Sequence, residues 1–328
     1  MGCPYIEHSK LRTASRGAKM DGKNLSEVPV LQMLKAFSHN HHIVGTDIAA
    51  AVQFDCFHEL LPARRSADCI VSTDVRASLS YEALNQFVTV EFPKLLRKIA
   101  PKSNRCRISP VLPNGPEAAV CLIACVSAAC CAPINHNNTE KEVSEELKSF
   151  KSEFVVVLAG QDNDHIFAAS AALGVPVVIL APSPTHCGLF SVLKRVPPAP
   201  TPGSAEIISS SMSSRFDTVL VLHTSGTSGN KKRVPYTLES LVVGAAVVAL
   251  SWHLTPRDVC CNMMPLFHVG GIARNIFAPV LSGGSVVCLA AFDAATFWSA
   301  LEDKGVTWCA TLHPSFYLNT SVLSPLAL

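Results

Sequence analysis

The sequence predicts an α/β fold in which mainly parallel β-strands form sheets flanked by helices. Short apolar runs typical of buried strands alternate along the chain with helical segments, which is the order that βαβ units produce. The chain has 328 residues, of which 48% are hydrophobic and only 16% charged. This composition supplies a sizeable core and is typical of an ordered globular chain.

The predicted elements follow one another from about residue 57. FHELLPARRSADCIVSTDVRASLSYEALNQFV predicts a helix, a strand and a helix with Ser80 as its N-cap. RCRISPVLPNGPEAAVCLIACVSAACCAPIN predicts a strand, a turn, a buried helix and a second strand. TEKEVSEELKSF predicts an amphipathic helix capped by Thr139, and EFVVVLAG predicts a buried strand. HIFAASAALGVPVVILAP repeats the order of helix and strand.

The composition changes along the chain predict its division into segments. Residues 1–50 are polar and predict an irregular leader, and residues 51–193 predict a first α/β subdomain. Residues 194–216 are rich in proline and serine and predict a surface linker. Residues 217–328 then predict a strand at Thr218–His223, a loop, a helix from about Leu238 to Trp252 and further strand–helix alternation.

Charge, cysteine usage and hydropathy exclude several classes of protein. A net charge of +2, with no basic stripe among aromatics, argues against nucleic-acid binding. The thirteen cysteines lie mostly in apolar runs without Cys-x-x-Cys pairs, which predicts free thiols, no metal site and a reducing, cytoplasmic location. The longest apolar stretch, Ala118 to Ile134, is shorter than the roughly 20 residues of a transmembrane helix.

The stretch LVLHTSGTSGNKKRVPYT, residues 220–237, predicts a phosphate-binding loop. Gly226 and Gly229 let backbone amides approach an anion closely, because no Cβ intervenes. Neighbouring side chains add neutral and cationic donors: Thr224, Ser225, Thr227, Ser228, Lys231, Lys232 and Arg233. A predicted strand precedes the loop and a predicted helix follows it, which favours phosphate binding over a solvated turn.

The spacing within this loop excludes two common phosphate-binding motifs. A Walker loop places a glycine five residues after its first glycine, whereas Lys231 stands five residues after Gly226. No Gly-x-Gly-x-x-Gly follows the first predicted strand, so a dinucleotide-binding fold lacks its main support. The sequence therefore favours neither a GTPase nor a dehydrogenase.

HTSGTSGNKKRV resembles the phosphate loop of the adenylate-forming (AMP-binding) enzymes, whose usual pattern is Thr-Ser-Gly-Thr-Thr-Gly-x-Pro-Lys-Gly-Val. Three further stretches are similar to that family in the same order: LPNGPEAAVCLIACVSAACCAPIN, MMPLFHVGGI and FWSALEDKGVTWCATLHP. Together the matches cover about residues 57–316. The resemblance implies the large domain of an acetyl-CoA-synthetase-like α/β fold, in truncated form.

The resemblance also implies an activity. In that family a carboxylic acid reacts with Mg-ATP to give an acyl-adenylate and pyrophosphate, and a thiol such as CoA then takes the acyl group. ATP, Mg²⁺ and CoA are thus the implied cofactors, and a carboxylic acid is the implied substrate. Two alternatives stay open: a non-catalytic nucleotide-binding paralogue, and a part of an adenylation enzyme that acylates a carrier protein.

Site residues carry over from the family pattern onto matching positions. The implied nucleotide-binding set is Thr224, Ser225, Gly226, Thr227, Ser228, Gly229, Lys231 and Lys232. His268 aligns with a position that borders the acyl site, and Gly270 and Gly271 would let a substrate lie against backbone. Lys232 aligns with the motif lysine, but Lys231 replaces the usual proline and Arg233 the usual glycine, which leaves the choice of phosphate-binding lysine open.

The family's later motifs have no match after Pro314. These motifs are an aromatic-Gly-x-Thr-Glu segment, a ribose-binding Asp and a small domain with a catalytic Lys. We therefore expect a truncated large domain without the small C-terminal domain. We also expect the chain alone to be inactive, and a partner or further C-terminal portion to complete it.

Overall fold

The computed structural model describes residues 28–35, 45–62, 65–99, 106–196, 212–224 and 231–310. Its strands, in chain order, are β1 Asp68–Val71, β2 Leu79–Ser80, β3 Arg107–Pro110, β4 Cys130–Cys131, β5 Phe154–Leu158, β6 Val177–Pro182, β7 Phe190–Val196, β8 Thr218–His223, β9 Arg233–Thr237, β10 Val259–Asn262, β11 Ser285–Cys288 and β12 Trp308–Ala310.

The helices lie between these strands and on their faces. They are α1 Pro29–Met33, α2 Gly45–Ala51, α3 Tyr81–Gln86, α4 Phe92–Ile99, α5 Pro116–Ala128, α6 Glu140–Phe150, α7 Asp164–Leu173, α8 Leu238–Ser251, α9 Ala278–Leu281 and α10 Ala294–Asp303. A short 3₁₀ turn covers Phe57–Leu60, and π-helical segments cover Phe87–Glu91 and Gly270–Phe277.

The strands form two mainly parallel sheets. The seven-stranded sheet has the order β7-β6-β5-β3-β4-β8-β9, and the five-stranded sheet has the order β12-β10-β11-β1-β2. Strands β2, β7 and β9, each at a sheet edge, pair antiparallel with their neighbours. All other pairs are parallel, which confirms the predicted α/β class.

The local predictions agree closely with the observed elements. Helix α3 begins after Ser80, whose side chain accepts a hydrogen bond from the Ala83 amide. Helix α6 begins after Thr139, which forms a complete capping box with Glu142. The apolar run from Ala118 is the buried helix α5 followed by β4, because a helix buried on every side has no polar face.

The two sheets do not follow the predicted boundary between residues 51–193 and 217–328. Strands β1 and β2 belong to the five-stranded sheet with β10, β11 and β12, and β1 pairs directly with β11. Conversely, β8 and β9 extend the seven-stranded sheet through the pairing of β4 with β8. The segments interleave because parallel strands need partners that are distant in sequence.

The structure also departs from the predicted leader and linker. Helix α1 and all of α2 except Ala51 lie within residues 1–50, and Val30, Leu34 and Ile48 are buried in the main core. Residues 194–196 belong to β7, and the Ser213 amide donates a hydrogen bond to the Ser127 carbonyl. The rest of the predicted linker, residues 197–211, lies outside the described residues.

The cysteines of the described residues are free thiols, as predicted. There are twelve, and ten of them are buried. Burial raises the pKa of the Cys106 and Cys261 thiols to about 12, so these groups stay protonated and unreactive at neutral pH. The described part of the chain as a whole contains no group of three or more His, Cys, Asp or Glu side chains suited to a metal ion.

The described residues contain no helix that could cross a membrane. None of the helices there combines the length and the apolar character that a bilayer span requires.

A buried tyrosine ties helix α3 to α9 and to the segment between α9 and β11. The Tyr81 hydroxyl lies 2.9 Å from the Val280 carbonyl oxygen and 2.6 Å from that of Gly284. Gly284 is required there because a Cβ would lie 2.5 Å from the Asp258 carbonyl oxygen. Burial raises the pKa of Tyr81 well above its ordinary value, so the hydroxyl keeps its proton and remains a donor.

Replacing this hydroxyl should destabilise the fold. In Tyr81→Phe the ring still fills the core, but the two carbonyl groups lose their donor, at a cost of about 1–2 kcal/mol. Urea denaturation measures the free energy of unfolding, and Glu82→Gln, at an exposed neighbouring position, is the control. Equal stability of Tyr81→Phe and the wild type would show that the hydrogen bond makes no net contribution.

Candidate functional site

The candidate site is built on the hairpin formed by β8 and β9. His223 at the end of β8 pairs with Arg233 at the start of β9, and the Thr224 amide donates a 2.9 Å hydrogen bond to the Lys232 carbonyl. Residues 224 and 232 therefore close the base of the loop. The loop tip, with Ser225, Gly226, Thr227, Ser228 and Gly229, lies outside the described residues, so their assigned roles remain predictions.

Helix α6 packs across the base of this loop with one face. Glu146, Ser149 and Phe150 lie three and four positions apart, so they project on the same side of the helix. The Phe150 ring stacks on the His223 ring, with centroids 4.0 Å apart and an angle of 18°. The Ser149 hydroxyl lies 2.9 Å from His223 Nε2, and the Ser149 carbonyl accepts a 2.7 Å hydrogen bond from Arg233 Nη1.

An ion pair joins α6 to the returning arm of the loop. The Lys231 Nζ atom lies 2.6 Å from Glu146 Oε1. Glu146 is buried, with 8% of its surface exposed, whereas the Lys231 side chain is 49% exposed. A buried carboxylate is costly unless it has a partner, so this lysine offsets the burial of the glutamate.

His223 lies against the same carboxylate. Its Nδ1 atom is 3.7 Å from Glu146 Oε1, which is longer than a hydrogen bond, and Nδ1 is buried with no hydrogen-bond partner among the described residues. Burial lowers the pKa of His223, Glu146 acts in the opposite direction, and Lys231 and Arg233 lower the pKa further. The ring is therefore neutral at pH 7, and a proton on Nδ1, facing the carboxylate, is the favoured tautomer.

The opposite wall of the site is the segment that carries Phe267 and His268. Asn114, in the turn before α5, accepts a hydrogen bond from the Leu266 amide and donates one to the Met264 carbonyl. Asn262, at the end of β10, also bonds to both backbone groups of Met264. These two asparagines fix the segment between the two sheets.

Sequence reasoning did not single out either asparagine. The available signal was a lone amide in the apolar run CCNMMPL and another inside a Pro-Asn-Gly-Pro turn. Both asparagines form hydrogen bonds to backbone groups of the Met264–Leu266 segment. Such bonds depend on how the chain packs, and the spacing of residues in the sequence does not reveal them.

His268 is exposed at the mouth of the site. Its ring lies 4.6 Å from the Phe267 ring, and partial desolvation lowers the pKa of His268 while Glu146 acts in the opposite direction. Gly271 is buried, and a Cβ there would lie 2.3 Å from the Pro265 carbonyl oxygen. Close packing against the Pro265 carbonyl therefore explains why residue 271 is a glycine. The contact of a substrate with Gly270 and Gly271 remains a prediction.

A cavity of about 190 Å³ lies between these two walls. It brings together three of the predicted residues, Thr224, Lys231 and His268. The other lining residues were not predicted as site residues: Pro133, Asn135, Asn138, Glu146, Phe150, His223 and Phe267. Lys232 is exposed and is not among the lining residues.

The chain is similar to known proteins over most of its length. The model of a family described as AMP-binding enzyme matches residues 62–320. An acyl-CoA synthetase of Gibberella moniliformis is 29% identical over 218 residues, which are 63% of this chain and 39% of that protein. The oxalate–CoA ligase of Saccharomyces cerevisiae is 29% identical over 219 residues, which are 60% of this chain and 39% of that protein.

A solved structure shows the same fold. The o-succinylbenzoate CoA synthetase of Bacillus subtilis, in complex with the acyl-adenylate intermediate OSB-AMP, superposes with a TM-score of 0.59 at 18% identity. The match covers 81% of this chain and 62% of that one. Against its curated relatives the chain spans about two fifths of their length.

The lowered pKa of His223 predicts a dependence of stability on pH. In the unfolded chain His223 binds a proton below about pH 6.5, whereas in the folded chain it binds one only at lower pH. The free energy of unfolding should therefore fall as the pH is lowered from about 7 to 5. His223→Phe keeps a ring against Phe150 and removes this titration, so its decline should be shallower. Urea denaturation at several pH values measures the slope.

The control is His186→Phe, because His186 is exposed on another surface. Its stability should decline with pH as in the wild type. An equally steep decline in His223→Phe would mean that His223 is as easily protonated in the folded state as in the unfolded one.

Proposed function

The chain belongs to the family of AMP-binding enzymes, and from that premise we propose that it binds ATP in the cavity between the loop base and His268. We propose further that it takes part in the activation of a carboxylic acid. One oxygen of the acid attacks the α-phosphorus of ATP, the bond to the pyrophosphate oxygen breaks, and an acyl-adenylate forms. A thiol then displaces AMP and gives a thioester.

The observation that carries this proposal is the position of the cavity. It joins the base of a loop rich in hydroxyl groups, amides and cations to the segment that holds His268. The reaction needs both at once, because a polyphosphate must be neutralised beside the place where the carboxylate reacts. A loop far from His268 could bind phosphate, but it could not hold that phosphate beside the reacting carboxylate.

Individual residues receive roles in this proposal. The loop amides, Thr224 and a lysine of the loop bind the phosphates, and the charge developing on departing pyrophosphate is neutralised there. His268, at the mouth, borders the acid and its adenylate. The two asparagines, Asn114 and Asn262, hold the His268 segment at its distance from the loop.

The cofactors Mg²⁺ and CoA belong to the proposal through the family. The described residues offer no acidic or histidine cluster for a metal ion, and Glu146 is already engaged by Lys231. Mg²⁺ commonly binds through substrate phosphates, one or two carboxylates and several waters. We therefore propose that it enters as Mg-ATP, where it neutralises phosphate charge, and we assign it no ligand among these residues. CoA is the proposed acyl acceptor.

Removing the two loop lysines should weaken nucleotide binding. In Lys231→Ala/Lys232→Ala the loss of one charge-assisted contact, about 2 kcal/mol, corresponds to a decrease of roughly thirtyfold in affinity for ATP or inorganic pyrophosphate. Isothermal titration calorimetry measures both ligands. Lys148→Ala/Lys151→Ala removes the same charge from two exposed lysines of the α6 end and should bind almost as the wild type does. Equal affinity of the two double variants would contradict the loop assignment.

Replacing His268 should affect the acid more than the nucleotide. His268→Ala should weaken a non-hydrolysable acyl-adenylate analogue by about tenfold, as for one lost hydrogen bond, while ATP affinity changes less than about twofold. Competition binding with a fluorescent nucleotide measures both constants. If ATP affinity fell instead and the analogue bound unchanged, His268 would belong to the phosphate site.

A further inference from the structure

Two side chains of the returning loop arm contact α6. Lys231 contacts Glu146, and Arg233, two positions later, contacts the Ser149 carbonyl. Along an extended arm, residues two apart point to one side and the residue between them to the other. This alternation would direct Lys232 away from α6, and Lys232 is exposed and absent from the cavity lining, although it aligns with the lysine of the family pattern.

The cation that reaches the cavity is thus Lys231, at the position where the family pattern has proline. It is half exposed and lines the cavity, but its ammonium group is occupied by the buried carboxylate of Glu146. A polyphosphate that draws Lys231 away would leave this carboxylate buried without a partner. Such a buried unpaired charge is strongly unfavourable, so anion binding requires a second cation for Glu146.

The structure holds a group suited to that task. His223 Nδ1 is buried without a hydrogen-bond partner among the described residues and lies 3.7 Å from Glu146 Oε1, the same oxygen that Lys231 contacts. The stacked Phe150 ring and the Ser149 hydroxyl hold the imidazole in that orientation. A proton taken up by His223 would replace the charge that Lys231 withdraws.

We propose that Lys231, and not Lys232, is the phosphate-binding lysine, and that Glu146 passes from Lys231 to a protonated His223 when the anion binds. The inference rests on the proposed function, because it assigns the ligand and the charge balance of the same site. Binding of a polyphosphate thus consumes a proton from solution: the Nδ1 and Nε2 atoms of His223 then both carry hydrogen, and no covalent bond other than N–H forms.

The charged groups around His223 set the direction of this exchange. Glu146 on α6 favours the protonated ring, and Lys231 and Arg233 on the loop arm oppose it. His268 on the opposite wall also lies within the field of Glu146. Burial also opposes protonation, and among the neighbouring charges Lys231 opposes it most, so moving the Lys231 charge from the carboxylate to an anion favours protonation of His223.

Calorimetry with inorganic pyrophosphate, without Mg²⁺, tests the assignment of the lysine. Lys231→Met should weaken binding by about thirtyfold, as for one charge-assisted contact, and Lys232→Met by only about threefold through the loss of a more distant charge. Glu146→Gln should strengthen binding several-fold, because Lys231 no longer leaves a carboxylate. Its matched control, Glu145→Gln, changes an exposed neighbour on the same helix. The reverse order of the two lysine variants, or weaker binding in Glu146→Gln, overturns the proposal.

The same titrations in buffers of different ionisation enthalpy count the protons. The wild type should take up a substantial fraction of a proton per pyrophosphate at pH 7, and this uptake should disappear in both His223→Phe and Glu146→Gln. A merely structural role for these side chains would alter affinity without removing proton uptake. Unchanged uptake in His223→Phe overturns the charge exchange.

A measurement without ligand separates this inference from the proposed function. In NMR titrations, Lys231→Met should raise the pKa of His223, because Glu146 then has only the imidazole beside it, and Lys148→Met should not. If the wild type binds neither ATP nor pyrophosphate, the proposed function fails, and a raised pKa still supports the pairing of Glu146 with His223. An unchanged pKa in Lys231→Met overturns the inference even if ATP binds.

Discussion

The site depends on the packing of one helix against one hairpin. The face of α6 that carries Glu146, Ser149 and Phe150 contacts both arms of the loop, through an ion pair, two hydrogen bonds and a ring stack. The capping box at Thr139 fixes where this helix begins, and thereby which three side chains reach the hairpin. The cavity, the neutral state of His223 and the direction of Lys231 all follow from this contact.

Two of the departures from the family's loop pattern, Lys231 and Arg233, are explained by the same contact. Arg233, in place of glycine, lies in an extended strand and donates to a carbonyl in the last turn of α6, where a helix presents unpaired carbonyl groups and partial negative charge. Lys231, in place of proline, meets a buried glutamate. Lys231 thus pairs with a carboxylate, and Arg233 contacts the negative end of the helix dipole. Neither residue has a positive φ angle, so the loop base accommodates both without a strained backbone.

The sequence predicts the elements that local signals define and misses those that depend on distant partners. Ser80, Thr139 and the apolar run from Ala118 identify α3, α6 and α5, because caps and burial patterns act within a few residues. Strand β9 contains Pro235, which an edge strand tolerates. The same proline is typical of turns, so the sequence predicted a loop at this position. The pairing of β1 with β11 joins residues more than 200 positions apart, and no local pattern encodes such a partner.

The candidate site shows the same division. Its loop and its His268 segment were recognisable as motifs, whereas the choice between Lys231 and Lys232 depends on side-chain direction, which strand pairing decides. Glu146 did carry a signal: it stands on the helix face that Val143, Leu147 and Phe150 bury. A glutamate at such a position needs a cation from elsewhere in the fold, and the sequence alone does not say which.

The ten buried thiols have a consequence for how the protein ages. While the fold is intact these ten protonated sulfur atoms are shielded from oxidants, so they do not react in the folded chain. Unfolding exposes them together, and cross-linking between thiols would then prevent return to the native state. The lifetime of the protein under oxidising conditions therefore depends on how often it opens, and where oxidation of the opened chain outpaces refolding the opening rate alone sets it.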